Sequence, residues 1–283
     1  MARCAACRWP PQTARWTFER CRLPERLIYF SNAPSLPMKT LLPLLIALQF
    51  LTRIPIRLPG MPAPAELGRS LLCYPLVGAL LGGGLALLAV LLAETFAPLA
   101  AALLLAVWVL ASGALHLDGL ADTVDAWVGG YGDRARTLAL MKDPASGPMA
   151  VAALILLLLL KFTALWALLL RGEVLALLLA ALLARGAVLL LFWGTPYVRA
   201  GGLGSVMAEQ LPRRPALWVL ALVALTVLLA GRSGALALAS TLVVFVLCRR
   251  ALLRRLGGTT GDTAGALLEL VECSVLVVLA LAG

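Results

Sequence analysis

The sequence predicts an all-α fold, a polytopic bundle of transmembrane helices with about seven spans and an N-terminal interfacial or re-entrant helix. Three observations lead there. First, the 283 residues are 62% hydrophobic and only 13% charged, whereas a soluble domain is nearer half apolar and a quarter charged. One soluble core cannot absorb that excess, so lipid must solvate most of it. Second, the apolar residues come in long runs separated by short polar segments. Third, the net charge of +10 is carried by Arg residues placed between those runs. That arrangement follows the positive-inside rule. With no basic groove or recognition motif, it does not indicate a nucleic-acid partner.

The apolar stretches expected to cross are 71–93, 96–117, 147–170, 174–193, 215–230, 234–248 and 264–282. Two of them, 215–230 and 234–248, are short for a span of about 20 residues, and either borrow flanking residues or form a shallow hairpin. The run 41–51 is shorter still and suits an interfacial or re-entrant helix. With the segment before residue 71 placed in the cytoplasm, the inner loops hold thirteen basic residues. These include Arg53, Arg69, Arg134, Lys142, Arg199 and Arg249, while the outer loops hold only Arg171 and Arg232. The long loops, and therefore the chemistry, are expected at the cytoplasmic face. Residues 1–37 are basic and Pro-interrupted, with no apolar run. They are expected to be a disordered tail or an over-extended translation start, and 38–283 to be one integral membrane catalytic domain. Cys4, Cys7 and Cys21 lack a fourth ligand, and the single His, His116, is remote in sequence, so zinc is not expected.

The most informative stretch is LHLDGLADTVDAWVGGYGDRARTLALMKDPASGP, 115–148. Asp118, Asp122 and Asp125 are spaced by four and three residues, so a helix projects all three from one face within roughly 11 Å. Three carboxylates on one stripe repel each other unless a cation neutralises them. Oxygen-only ligands favour a hard divalent ion, Mg²⁺ with Mn²⁺ as a substitute. Asp143 is a candidate fourth ligand or proton acceptor, and Lys142 beside it a candidate phosphate contact. The competing reading is a solvated acidic helix end, which would ordinarily mix charge signs.

Charges inside the apolar spans mark a second group: Lys161, Arg185, Glu269 and Glu272. Such residues usually face a bundle interior. Arg185 is expected either to pair with Glu269 structurally or to contact substrate, because a buried charge needs a partner in both cases. The stretch LGGTTGDTAGALLELVE, 256–272, combines a Gly-rich loop suited to an anion with Asp262 and Glu269 on one helix face.

On the segments FLTRIP (50–55), HLDGLADTVDA (116–126), MKDPASGP (141–148), the helices of Lys161 and Arg185, and GGTTGDTAGALLELVE (257–272), the chain resembles the cobalamin synthase family, the adenosylcobinamide-GDP ribazoletransferases. The resemblance runs from about residue 41 to the end. Ala126 and Pro144-Ala145 depart from the usual pattern and leave the acidic stripe intact. It implies a Mg²⁺-dependent enzyme of the bacterial inner membrane, with its active site facing the cytoplasm. The implied reaction joins adenosylcobinamide-GDP to α-ribazole or its 5′-phosphate and releases GMP. Its implied partners are the two substrates and the bilayer, with a homo-oligomer and other pathway enzymes left open. Within that chemistry Asp118, Asp122 and Asp125 are expected to hold metal. Asp143, Asp122 and His116 are the catalytic candidates, His116 as a group orienting an Asp. Lys142, Lys161, Arg185, Asp262, Thr263 and Glu269 are the substrate-contact candidates. A CDP-alcohol-type lipid head-group phosphotransferase shares the acidic stripe but has no place for FLTRIP or GGTTGDT. A transporter would put its charges at the membrane midplane.

Overall fold

The structure is a computed structural model that describes residues 36–58, 60–143 and 145–283. The extension expected over 1–37, with Cys4, Cys7 and Cys21, lies outside the described residues except for its last two. Among the described residues twelve α-helices follow in order: α1 Leu36–Leu51, α2 Pro64–Ser70, α3 Tyr74–Leu91, α4 Ala97–Ser112, α5 Leu115–Gly129, α6 Arg134–Leu140, α7 Pro148–Leu170, α8 Leu175–Gly194, α9 Leu203–Glu209, α10 Arg213–Leu228, α11 Gly231–Leu256 and α12 Gly261–Ala282. Among the described residues the one strand-like pairing is an isolated parallel bridge between Tyr197 and Thr259.

The chain is a multi-pass membrane protein. Among the described residues five segments are long and apolar enough to cross a bilayer: Pro64–Leu91, where α2 runs through a 3₁₀ turn into α3, and α7, α8, α11 and α12. Helices α4 and α10 have 16 residues each, about 24 Å of rise and short of the hydrocarbon core. Each is sharply bent against a neighbour, α4 against α5 by 86° and α9 against α10 by 92°. Counting each bent pair as one span gives seven. The short apolar run at 234–248 borrows flanking residues, since α11 continues through Arg249, Arg250, Arg254 and Arg255.

The apolar run 96–117 does not continue as one helix. Its break falls at Gly113 and Ala114, both left-handed with φ of 69° and 57°. Gly113 can adopt that conformation without the Cβ penalty, and a Cβ there would also lie 2.5 Å from Arg53 Cδ. The bend releases α5 from the direction of α4 and lays it across α12 and α7.

Helix α8 is the buried centre of the bundle, with Leu, Ala and Val enclosed from Ala176 to Phe192. In membranes, helix contact relies on close packing rather than on the hydrophobic effect, and small residues permit it. Gly82 of α3 serves that purpose: a Cβ there would sit 2.7 Å from Leu178 Cα on α8. Gly83 and Gly84 face open space. Outward-facing Leu87, Leu110, Leu156 and Trp218 stay exposed, as lipid-facing positions should.

The polar segments gather at one end of the bundle. Arg53 packs on Gly113, and Arg255 donates to Trp127 O at 2.8 Å. Arg249 donates to Gly194 O at 2.7 Å, and Arg213 to Trp193 O at 2.8 Å. At the opposite end Arg171 ties the α7–α8 turn to Leu279 O at 3.2 Å.

The uneven use of the glycine triplet is testable. Gly82→Leu is expected to force α3 off α8 and cost about 1–3 kcal/mol, read as a lowered thermal midpoint in detergent. Gly84→Leu is expected to leave that midpoint unchanged. Equal effects would refute the packing role assigned to Gly82.

Candidate active site

The acidic stripe forms as the spacing predicts, on α5, and then divides between two neighbours. Gly119, one residue after Asp118, lies against the first turn of α12, where a Cβ would be 2.8 Å from Asp262 O. The two backbones therefore nearly touch, and Asp262 comes beside Asp118 and Asp122. Asp118 and Asp262 both lie close enough for their charges to act on Asp122. Among the described residues Asp118 and Asp122 have no ion pair.

Asp125 faces elsewhere. Its carboxylate accepts from the backbone N–H of Gly147 and from that of Ala150 at 2.9 Å, capping the start of α7. Such a cap satisfies amides that the first helical turn leaves free. Asp143 is exposed and accepts from Ala145 N at 3.0 Å. It borders a shallow depression shared with Asp125, while Asp118 borders the cavity described below. Lys142 is exposed.

Asp262 is held in place from two sides. The segment 196–199 is stapled to the Gly-rich loop, Val198 N donating to Thr259 O at 2.9 Å and Thr259 N to Pro196 O at 2.8 Å. This staple brings Arg199 Nη2 to 2.6 Å from Asp262 Oδ2. On the other side Thr260 caps α12 reciprocally with Thr263: Thr260 N donates to Thr263 Oγ1 at 2.8 Å, and Thr263 N to Thr260 Oγ1 at 3.3 Å. The buried Thr263 hydroxyl is thus occupied by the cap. Tyr197 stands over the same turn and stacks on Phe192 at 5.8 Å. Burial pushes its phenol above the usual range, against the pull of Arg199, so it is protonated at neutral pH.

Behind these groups lies a cavity of about 220 Å³ enclosed by α1, α3, α5, α8, α9 and α12. Asp118 and Asp262 border it, and Phe50, Tyr74, Phe192 and Tyr197 supply aromatic walls. His116 also lines it, is 7% exposed, and has no partner for Nε2 among the described residues.

The trio of Asp118, Asp122 and Asp262 suits a hard divalent cation by its chemistry, since carboxylate oxygens are hard donors. It is not a closed cage: among the described residues no three metal-ligating side chains converge tightly enough to hold an ion by themselves. That matches the usual habit of Mg²⁺, which takes one or two carboxylates and completes its shell with substrate phosphates and water.

The intramembrane charges form a separate knot. Lys161 Nζ lies 2.5 Å from Glu269 and 2.6 Å from Glu272. Arg185 pairs with Glu272, not with Glu269 as the sequence suggested. Trp108 Nε1 donates to Glu272 at 3.2 Å, and Lys161 sits 5.3 Å from the Trp108 ring centroid. All four charged side chains are buried, two positive against two negative. The structure therefore gives Lys161, Arg185 and Glu269 mutual partners and does not bring them into the cavity lining.

Residues 43–280 match the family model for cobalamin-5-phosphate synthase. This chain belongs to that family. The adenosylcobinamide-GDP ribazoletransferase of Stutzerimonas stutzeri is 64% identical over 241 residues, 85% of this chain and 98% of that one. The Pseudomonas putida W619 protein of the same name is 60% identical over 243 residues, 86% of this chain and all of that one. A third, from Pseudomonas entomophila, is 61% identical over 242 residues, 85% of this chain and 99% of that one. No solved structure matches. Membership in the synthase family sets aside the lipid head-group transferase and transporter readings.

Sequence reasoning counted Arg199 only as a loop charge and did not single out Tyr197 or Trp108. Arg199 and Tyr197 carry no local signal beyond lying in a polar loop, TPYVRAGG, opposite GGTTGD. Trp108 looks like any aromatic residue in a span.

The charge knot makes a prediction about stability. Lys161→Met leaves two buried carboxylates facing one guanidinium, which is expected to cost about 3–5 kcal/mol, measured as loss of folded protein in detergent. Exposed Lys142→Met should leave the fold intact. A stable Lys161→Met protein would show that the knot is dispensable.

Proposed function

We propose that the site between α5 and the first turn of α12 is where this chain carries out nucleotide-loop assembly. Adenosylcobinamide-GDP and α-ribazole, or its 5′-phosphate, give adenosylcobalamin, or its 5′-phosphate, and GMP. The observation that carries the placement is the convergence of Asp118, Asp122 and Asp262 beside a largely apolar cavity, with Arg199 and the start of α12 alongside. A ribose hydroxyl attacks the phosphorus borne by the corrinoid. A new O–P bond forms, the bond from that phosphorus to the GMP phosphate oxygen breaks, and GMP leaves with the electron pair.

Asp118 and Asp122, which have no ion pair, would hold Mg²⁺ or Mn²⁺ together with the diphosphate. A divalent ion there supplies charge neutralisation for the phosphate oxygens. The hydroxyl proton goes to a carboxylate oxygen of the same pair. Asp262 is tied to Arg199 and acts as an anchor: it holds the guanidinium where an incoming phosphate can share it. Free amides at the start of α12 and the protonated Tyr197 hydroxyl add donors for developing negative charge. Asp125, occupied by the α7 amides, sets the distance between α5 and α7, and Lys142 and Asp143 sit at the rim.

The site faces the cytoplasm of a bacterial inner membrane in this reading, because the polar end of the bundle holds nearly all the loop arginines. The domain begins near Met38.

Purified protein given adenosylcobinamide-GDP, α-ribazole and Mg²⁺ should release GMP. Chelation by EDTA should abolish release, and Mg²⁺ or Mn²⁺ should restore it. Asp122→Asn is expected to lower the rate by orders of magnitude without affecting insertion, whereas Asp125→Asn should mainly reduce stability, by about 1 kcal/mol. Full activity in EDTA would falsify the metal assignment.

Sidedness has its own test. Single cysteines at exposed Lys142 and Ala200, in a background lacking the native thiols, should escape an impermeant reagent in intact cells and react in inverted vesicles. Labelling of either from outside would overturn the orientation.

A further inference from the structure

We infer that the groove between α1, α3 and α4 is a binding site for an anionic phospholipid, with the lipid phosphate on Arg53 and one acyl chain lying along Gly84. None of the residues assigned to the transferase reaction lines this groove, so the inference is independent of that reading.

Shape is the first argument. The groove encloses about 630 Å³, several times the roughly 150 Å³ that holds a benzene ring. It follows α3 from Val77 to Leu85, a rise of about 12 Å. That is most of the depth of one leaflet, half of a hydrocarbon core about 30 Å thick. Leu48, Leu80 and Val107 line it, and the protein leaves Leu80 and Val107 exposed.

The second argument is Gly84. Glycine is disfavoured inside a helix, and Gly82 offsets that by its close contact with α8. Gly84 makes no such contact. It stands in the groove wall, where a Cβ would meet nothing within 4 Å. The missing side chain widens the groove and leaves bare backbone for a lipid chain to pack on.

Charge is the third argument, and it selects the lipid. Arg53 lines the groove at the polar end of the bundle, with its stem packed on Gly113. Among the described residues Arg53 has no ion pair, and none of those lining the groove is acidic. Basic side chains beside a bilayer lay their stems on apolar surface and hold the charge among the head groups. A lipid phosphate gives this guanidinium the anion it lacks. A zwitterionic head group would bring an ammonium against Arg53 and against exposed Arg57 as well.

Position gives the lipid a consequence. The Arg53 amide donates to Ala111 O at 2.8 Å, just before the left-handed pair that bends α5 away from α4. A lipid held by Arg53 therefore braces that bend and stabilises the folded bundle by mass action.

The experiment follows the thermal midpoint of the delipidated full chain in detergent as lipid is added. Saturating phosphatidylglycerol should raise the wild-type midpoint by about 5 °C. Phosphatidylcholine should raise it far less, and inorganic phosphate not at all. Gly84→Leu, expected to match the wild type without lipid, should lose the phosphatidylglycerol shift. Gly83→Leu, which alters the neighbouring glycine outside the groove, should keep it. Arg53→Gln should respond equally to the two lipids, and Arg53→Lys should retain part of the preference. The Gly84 variant tests the site even where an Arg53 variant fails to fold.

Equal wild-type shifts from the two lipids would overturn the Arg53 contact. An undiminished shift in Gly84→Leu would overturn the groove as the chain site. A shift from inorganic phosphate as large as that from phosphatidylglycerol would leave only an anion site. A dimer in lipid-free detergent that Gly84→Leu splits would assign the groove to a second copy of the chain and overturn the lipid site.

Discussion

Four charges buried within the bundle have to cancel one another, and much of the site's geometry depends on that constraint. Lys161, Arg185, Glu269 and Glu272 come from α7, α8 and α12, with Trp108 of α4 closing the set. An unpaired charge at such depth is expensive, so the helices can be rotated and positioned in few ways. Glu269 lies seven residues beyond Asp262 on α12, about two helical turns. Fixing the depth and rotation of Glu269 and Glu272 therefore fixes where Asp262 emerges. The knot sits outside the cavity lining, but it sets the stage on which the reaction groups stand.

A second constraint is the bend after α4. Were 97–129 one straight helix, the aspartates would continue along the α4 axis, away from α12. Consecutive left-handed residues at Gly113 and Ala114 turn α5 by 86°, and Gly119 then lets it touch the α12 backbone. The acidic cluster is assembled by this crossing. Asp118 and Asp122 meet Asp262, while Asp125, three residues further along, passes over to the start of α7. The two ends of one stripe take different duties because two different helices lie beneath it.

Arg199 and Tyr197 show how a loop with little pattern of its own becomes part of the site. Residues 196–198 pair with Thr259 across a single parallel bridge. That pairing spans about sixty positions of chain and leaves no periodic trace in either segment. Its effect is to set a guanidinium against Asp262 and an aromatic ring at the cavity wall.

The all-α, multi-pass character of this protein was determined by sequence alone, because helix in lipid is dictated by composition and run length: each apolar stretch must satisfy its backbone internally. The face shared by Asp118, Asp122 and Asp125 was likewise legible, since helical periodicity is local. The need for partners at Lys161, Arg185 and Glu272 followed from the cost of burying charge, though their identity did not. Only the tertiary structure decided that Arg185 takes Glu272, that Asp262 joins Asp118 and Asp122 while Asp125 caps α7, and that a cavity walled by four aromatic rings opens beside Asp118 and Asp262. Each of these is a choice among neighbours distant in sequence. Such choices are settled by helix crossing and close packing, and spacing along one helix carries no information about them.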